Sequence, residues 1–219
     1  MFKEIRKYRL NYMLKEQELL KLAKLRQATK YNGYNSIVDY ENGFYECDYV
    51  SPYSISAHNV NSDVFVILQD WSSDENMHGI CKKTKKLGYT PSVGTNIKLI
   101  KLLEKNLSLK LEDTYTTNLF PFIKMGDISA NIPIGDMRKA AEEFTLPMIK
   151  IIRPKIAIAL GAKTFKALYD VCKDKEQLTE NSFKYGNTII FYQPHPAARI
   201  SNVKKEEGWN KMKKYLDTR

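Results

Sequence analysis

Cysteine is scarce in this sequence. Its three residues, Cys47, Cys81 and Cys172, stand far apart and outside any Cys-x-x-Cys spacing, so neither a disulfide framework nor a cysteine-built zinc site is indicated. Histidine is equally rare, with three in the chain. No apolar run approaches the roughly 18 residues that would span a bilayer, and the opening MFKEIRKYRL lacks the apolar core of a secretory signal. Those absences predict a cytoplasmic protein without a membrane partner. Internal repeats and low-complexity segments are also missing. Acidic charge is in deficit, with 25 Asp and Glu against 35 Lys and Arg, a net charge of +10. Such a field attracts a polyanion, although solubility alone accounts for it equally well until a site agrees.

What is present is enough for a full core. With 219 residues, 43% of them hydrophobic, the chain fits one large domain with an added arm. Residues 1–60 are read as a basic helical arm and loop packed on the body, and residues 61–219 as an α/β domain. The arm carries Lys3, Arg6, Lys7, Arg9, Lys15, Lys21, Lys24, Arg26 and Lys30, with Leu14, Leu19, Leu20 and Leu22 between them. This is a helical pattern, suited either to packing on the body or to touching DNA. From residue 63, strand-length apolar runs alternate with helix-length segments. The strands fall at 64–69, 114–118, 156–160 and 188–192, and the helices at 96–105, 136–152, 162–172 and 204–216. This alternation predicts a parallel sheet covered by helices on both faces, with ligands at the carboxyl ends of the strands.

Polar residues stand at three of those strand ends. Asp70, after VFVILQ, is suited to chemistry, or to capping a turn. Asn118 ends TYTTN with an amide that both donates and accepts; it suits the edge of a base, or an Asx turn. His195 follows the strand TIIFY and is clamped by Pro194 and Pro196, which fix the direction of the imidazole. No second and third metal ligand accompany it. In LGYTPSVGTNIKLIKLL, residues 87–103, a loop opens a helix near Gly94 and Thr95, whose backbone amides suit a phosphate or a base carbonyl.

Taken in order, these segments resemble the uracil-DNA glycosylase superfamily over about two thirds of the chain, residues 63–203. The family's first motif corresponds to LQDWSS at 68–73, and a PFVG segment opening a helix to PSVG at 91–94. A TNVV strand end is similar to Thr117–Phe120, IRPKVIVALG to IRPKIAIALG at 152–161, and HPS to His195-Pro196-Ala197. The resemblance implies a three-layer α/β/α sandwich with a four-stranded parallel sheet, which flips a base out of DNA and cuts its bond to the sugar. It implies a monofunctional, monomeric glycosylase acting on duplex or single-stranded DNA, with no metal or organic cofactor. By position, Asp70 is implied to place water and stabilise the sugar's positive charge, Asn118 to read the base, and His195 to bond the departing base's carbonyl. Gln69, Ser72, Tyr89 and Ser92 fall on the base pocket, and Arg199, Ser201 and Lys163 on the DNA-facing side.

The chain also departs from the family. Its branch with the closest motif order holds an iron–sulfur cluster on four cysteines, more than this chain has. The tyrosine that closes the classical pocket against groups on pyrimidine C5 falls on Ser72, and the stacking phenylalanine of PFVG on Ser92. Small residues at both walls lead to the expectation that a C5-substituted pyrimidine, such as a modified phage cytosine, enters as well as uracil. Arg199 stands where the family often has a wedging leucine, and either Tyr89 or Trp71 is available to stack on the base. Two rival functions are a non-catalytic nucleic-acid-binding protein of the same fold and an N-glycosidase acting on free nucleosides.

Overall fold

The computed structural model describes residues 2–199 and 202–217. In chain order its elements are α1 (Phe2–Ala28), β1 (Tyr34–Asn35), β2 (Val64–Asp70), α2 (Lys82–Leu87), α3 (Gly94–Leu107), β3 (Tyr115–Phe120) and β4 (Ile123–Lys124). These are followed by α4 (Ile134–Ala140), α5 (Leu146–Ile152), β5 (Ile156–Leu160), α6 (Ala162–Val171), β6 (Lys175–Thr179), β7 (Ser182–Tyr185), β8 (Thr188–Gln193) and α7 (Asn202–Asp217). No helix among the described residues is long and apolar enough to cross a membrane.

The central sheet has six strands, in the order β3-β2-β5-β8-β7-β6, where the sequence led us to expect four. The four expected strands are adjacent and parallel, and β7 and β6 extend the β8 edge as antiparallel additions. The additions are hard to read because β6, KEQLT, is a polar strand with four of its five residues exposed, lacking the alternation that marks a strand. The β7–β8 connection is a two-residue turn, Gly186-Asn187, with Gly186 at a φ of 58°.

Strands β2 and β5 are buried on both faces, which is why VFVIL and IAIAL read as continuous apolar runs. Because alternate side chains point to opposite faces, Phe65, Ile67, Ala157 and Ala159 pack with Met137, Ile149 and Leu168 of α4, α5 and α6. Val64, Val66, Ile156 and Ile158 pack on the other face against Leu99 and Leu103 of α3 and Trp209 and Met212 of α7. The run expected as one helix over 136–152 contains a π-helical stretch, Ala141–Thr145, just before Pro147. Proline has no N–H to continue the ladder, so the hydrogen-bonding register shifts there.

Helix α1 docks through its second half. Leu19 and Ala23 are buried, and Lys15 Nζ reaches the carbonyls of Val60 and Ile152 and Oδ1 of Asn61 at 2.9–3.0 Å. Leu10, Met13 and Leu14, further toward the N-terminus, are exposed. At the C-terminal end Arg26 is fully buried. It pairs with both carboxylate oxygens of Glu46 at 2.6–2.7 Å and donates to the carbonyls of Cys47 and Tyr49 at 2.9 and 2.8 Å. The segment 46–49 is thereby tied to the helix. Burial opposes the charge on Glu46, but its bonds to Arg26 outweigh that cost and hold the carboxyl below its usual range.

Removing one partner of a buried pair strands the other charge, at a cost of about 3 kcal/mol or more. Arg26→Ala is therefore expected to lower stability by about 3 kcal/mol in urea unfolding at pH 7. A carboxyl lowered on folding contributes stability above its unfolded value of about 4.3, and that stability is lost as pH falls through the lower folded value. The gap between wild type and variant should accordingly narrow in acid.

Candidate functional site

The carboxyl ends of the parallel strands open into a cleft of about 830 Å³. Leu68, Gln69 and Asp70 enter it from the end of β2, Asn118 from β3, and His195 from the turn after β8. The register explains part of the convergence: Leu68 and Asn118 are partners across the β2–β3 ladder, so their side chains stand together on one face.

Asp70 is nearly enclosed. Its Oδ2 lies 3.0 Å from Nζ of Lys124, with the two side chains 8% and 4% exposed, and its Oδ1 accepts from Nε2 of Gln69 at 2.8 Å. Lys124 arrives by a local fold of the chain. After β3 the backbone turns back so that β4 pairs antiparallel with β1, Tyr34 opposite Lys124, and Lys124 also bridges to Ser73. Its ammonium donates a second bond to the carbonyl of Ile128 at 2.5 Å, closing the 124–128 loop.

Asn118 is held by its oxygen. Ser51 Oγ accepts the N–H of Tyr53 at 3.3 Å and donates to Asn118 Oδ1 at 2.5 Å. The residue is buried and lines the cleft. His195 is fixed differently: its Nδ1 accepts the N–H of Ala197 at 3.2 Å, while its carbonyl accepts that of Ala198 at 2.8 Å. With Nδ1 as an acceptor, the ring's donor is Nε2.

Aromatic rings build the walls. Tyr89 stacks on Tyr53 with centroids 5.1 Å apart, and Tyr45 meets Trp71 edge to face at 5.7 Å. Trp71 Nε1 donates to the carbonyl of Gly88 at 2.7 Å, and Tyr53 donates to Asn96 Oδ1 at 3.1 Å. Burial pushes the hydroxyl pKa of both Tyr53 and Tyr89 upward, so both rings are neutral. Helix α3 begins beside the cleft, with Val93, Thr95 and Asn96 in the lining, and so directs the positive end of its dipole there.

Of the residues singled out from sequence, Gln69, Asp70, Ser72, Tyr89, Asn118 and His195 line this one cleft, as does Trp71. Ser92 does not: it is exposed in the turn before α3, outside the lining. The expectation of an open wall at Ser92 thus has no place in this geometry, because the turn carries Val93 and Thr95 to the cleft and leaves Ser92 in solvent. Arg199 is exposed beyond His195, and Lys163 lies at the start of α6 with its ammonium on Asn131 Oδ1 at 2.5 Å. Ser201 lies outside the described residues.

Sequence reading missed Lys124, whose signal was a lone lysine in the apolar run FPFIKM. It also missed the loop Asn76–Cys81, which forms one side of the cleft, and the lysines of α2 that follow it. Lys82, Lys83 and Lys86 are exposed on that short helix, and their signal was the charge run KKTKK. Among the described residues no group of three or more His, Cys, Asp or Glu is arranged to hold a metal ion.

Gly88 holds the wall in place. It has a φ of 76°, and a Cβ there would collide with the Pro52 carbonyl of the neighbouring 3-10 turn. Gly88→Ala combines left-handed strain of about 1–2 kcal/mol with overpacking of about 1–3 kcal/mol. It should cost about 3 kcal/mol in urea unfolding and alter the near-ultraviolet circular dichroism of the Trp71 and Tyr89 wall. Comparison of the chain with protein-family models and with curated proteins gives no match in either case.

Proposed function

We propose that this chain is a DNA glycosylase that hydrolyses the N-glycosidic bond of a flipped-out pyrimidine and leaves an abasic site. In this reading it works as a cytoplasmic monomer on a three-layer α/β/α frame of the uracil-DNA glycosylase kind. The observation that carries the reading is the meeting of Asp70, Asn118 and His195, from three separate strand ends, in one cleft. A carboxylate, an amide and an imidazole are the groups that this bond cleavage calls on.

As the bond between C1′ and the base lengthens, positive charge grows on the sugar and negative charge on the base. Asp70 faces the first charge and orients the attacking water; His195 donates from Nε2 to the base's carbonyl oxygen. Both interactions are strongest in the transition state, which is the condition for raising the rate rather than only the affinity. The Nδ2 of Asn118 reads the hydrogen-bonding edge of the base, and Tyr89, backed by Tyr53, offers a ring face for stacking. Flipping costs a few kcal/mol, which those pocket contacts offset. Exposed Lys82, Lys83, Lys86 and Arg199 suit the phosphates of a polymer more than a free nucleoside.

Cleft size bears on the substrate. A volume of about 830 Å³ falls within the range of about 300–1,000 Å³ that holds drug-sized ligands, and exceeds what a bare pyrimidine fills. Ser72 in the lining leaves one wall low. Both favour a pyrimidine with a C5 substituent, such as a modified phage cytosine, alongside uracil.

The test is base release from oligonucleotides carrying uracil, thymine or 5-modified cytosines. Asp70→Asn and His195→Ala should each lower the single-turnover rate by about 100-fold or more, as for other lost transition-state contacts. Full release by both variants would sink the assignment, and activity confined to uracil would remove the C5 reading alone.

A further inference from the structure

Lys124 is the one lysine buried among the described residues. Enclosing an ammonium carries a desolvation penalty that its pairing must offset, and this one is enclosed in the wall of the cleft rather than in the core. It carries a primary amine 3.0 Å from the carboxylate that, in the reading above, faces C1′ of the flipped nucleotide.

We propose that Lys124 gives the protein a second activity, a β-lyase step on the abasic product. The proposal rests on the glycosylase reading, because that reading is what brings C1′ to Asp70. Once the base has left, C1′ of the opened sugar is an aldehyde. A proton passes from Nζ to Oδ2 along the existing contact, which removes both buried charges, and rotation about Cε–Nζ turns the lone pair toward C1′. The nitrogen adds to the aldehyde carbon and passes one proton to the oxygen, Oδ2 of Asp70 gives that oxygen its second proton, and it leaves as water; the products are a protonated imine and a restored Asp70 carboxylate. That cation acidifies C2′, whose proton goes to a carboxylate oxygen of Asp70, and the electron pair expels the 3′-phosphate as the C3′–O bond breaks. Water then hydrolyses the imine and restores the lysine. No oxidant or reductant enters the cycle. Ile128 meanwhile keeps a bond from the amine, so the side chain stays anchored while its nitrogen reacts.

The test uses the full chain and an oligonucleotide with a single preformed abasic site, so that the identity of the excised base does not matter. Sodium borohydride reduces an imine to a stable secondary amine. Wild type should give a covalent protein–DNA adduct, and peptide mapping should locate it on Lys124. Lys124→Arg keeps a cation beside Asp70 but has no primary amine, and should lose the adduct and lower strand cleavage at the abasic site at least tenfold. Lys173→Arg, a change at an exposed lysine outside the cleft and its basic rim, should keep both. No adduct in wild type, an adduct mapped elsewhere, or an adduct that survives Lys124→Arg would each overturn the proposal. Base release measured in parallel on a base-bearing oligonucleotide tells the two readings apart: release with no adduct defeats the lyase step alone, whereas no release defeats the glycosylase.

Discussion

Strands that run the same way must end at the same edge. In β3, β2, β5 and β8 this constraint brings together residues from positions 70, 118 and 195 of the chain, because each strand delivers its last side chains to one rim. The ladder also sets depth. Leu68 pairs with Asn118, and Leu160 with Gln193, so a slip by one residue would turn Asn118 away from the cleft. The two faces of β2 and β5 pack into different cores, Phe65 and Ile67 into one and Val64 and Val66 into the other, so a slip would exchange side chains of unequal size between close-packed interiors.

Two buried ion pairs complete the rim from outside the sheet. Arg26 binds Glu46 and the 46–49 backbone, fastening the segment that leads through Ser51 to Asn118. Lys124 binds Asp70 and the Ile128 carbonyl, fastening the loop after β3. Each pair joins segments distant in sequence, and the second holds a polar side chain of the cleft, Asp70, directly. Such pairs contribute little net stability compared with apolar replacements, but their geometry is directional, which hydrophobic contact is not. The Asp70–Lys124 pair has a chemical consequence as well. A lone carboxylate offers its whole field to whatever enters the cleft, whereas this one shares it with the Lys124 ammonium.

The sheet was legible to the extent that its strands are apolar. VFVIL, IAIAL and TIIFY announce buried strands by composition, and Gly161, with a φ of 102°, makes the tight turn from β5 into α6. The polar edge strand β6 was not legible, since nothing in KEQLT separates an edge strand from a loop. Local patterning also gave the candidates Asp70, Asn118 and His195, each through a strand end. It failed at Ser92, because a turn of a few residues decides which side chains face the cleft and which face water.

By itself the sequence determined which segments form the parallel core and which polar residues end them, because burial on both faces and strand alternation are written in residue order. Only the tertiary structure decided what those residues meet. The partnership of Asp70 with Lys124, the hold of Ser51 on Asn118 and the backing of Tyr89 by Tyr53 join positions 36–67 residues apart. Such contacts follow from how loops return over the sheet edge, and no local periodicity encodes that path.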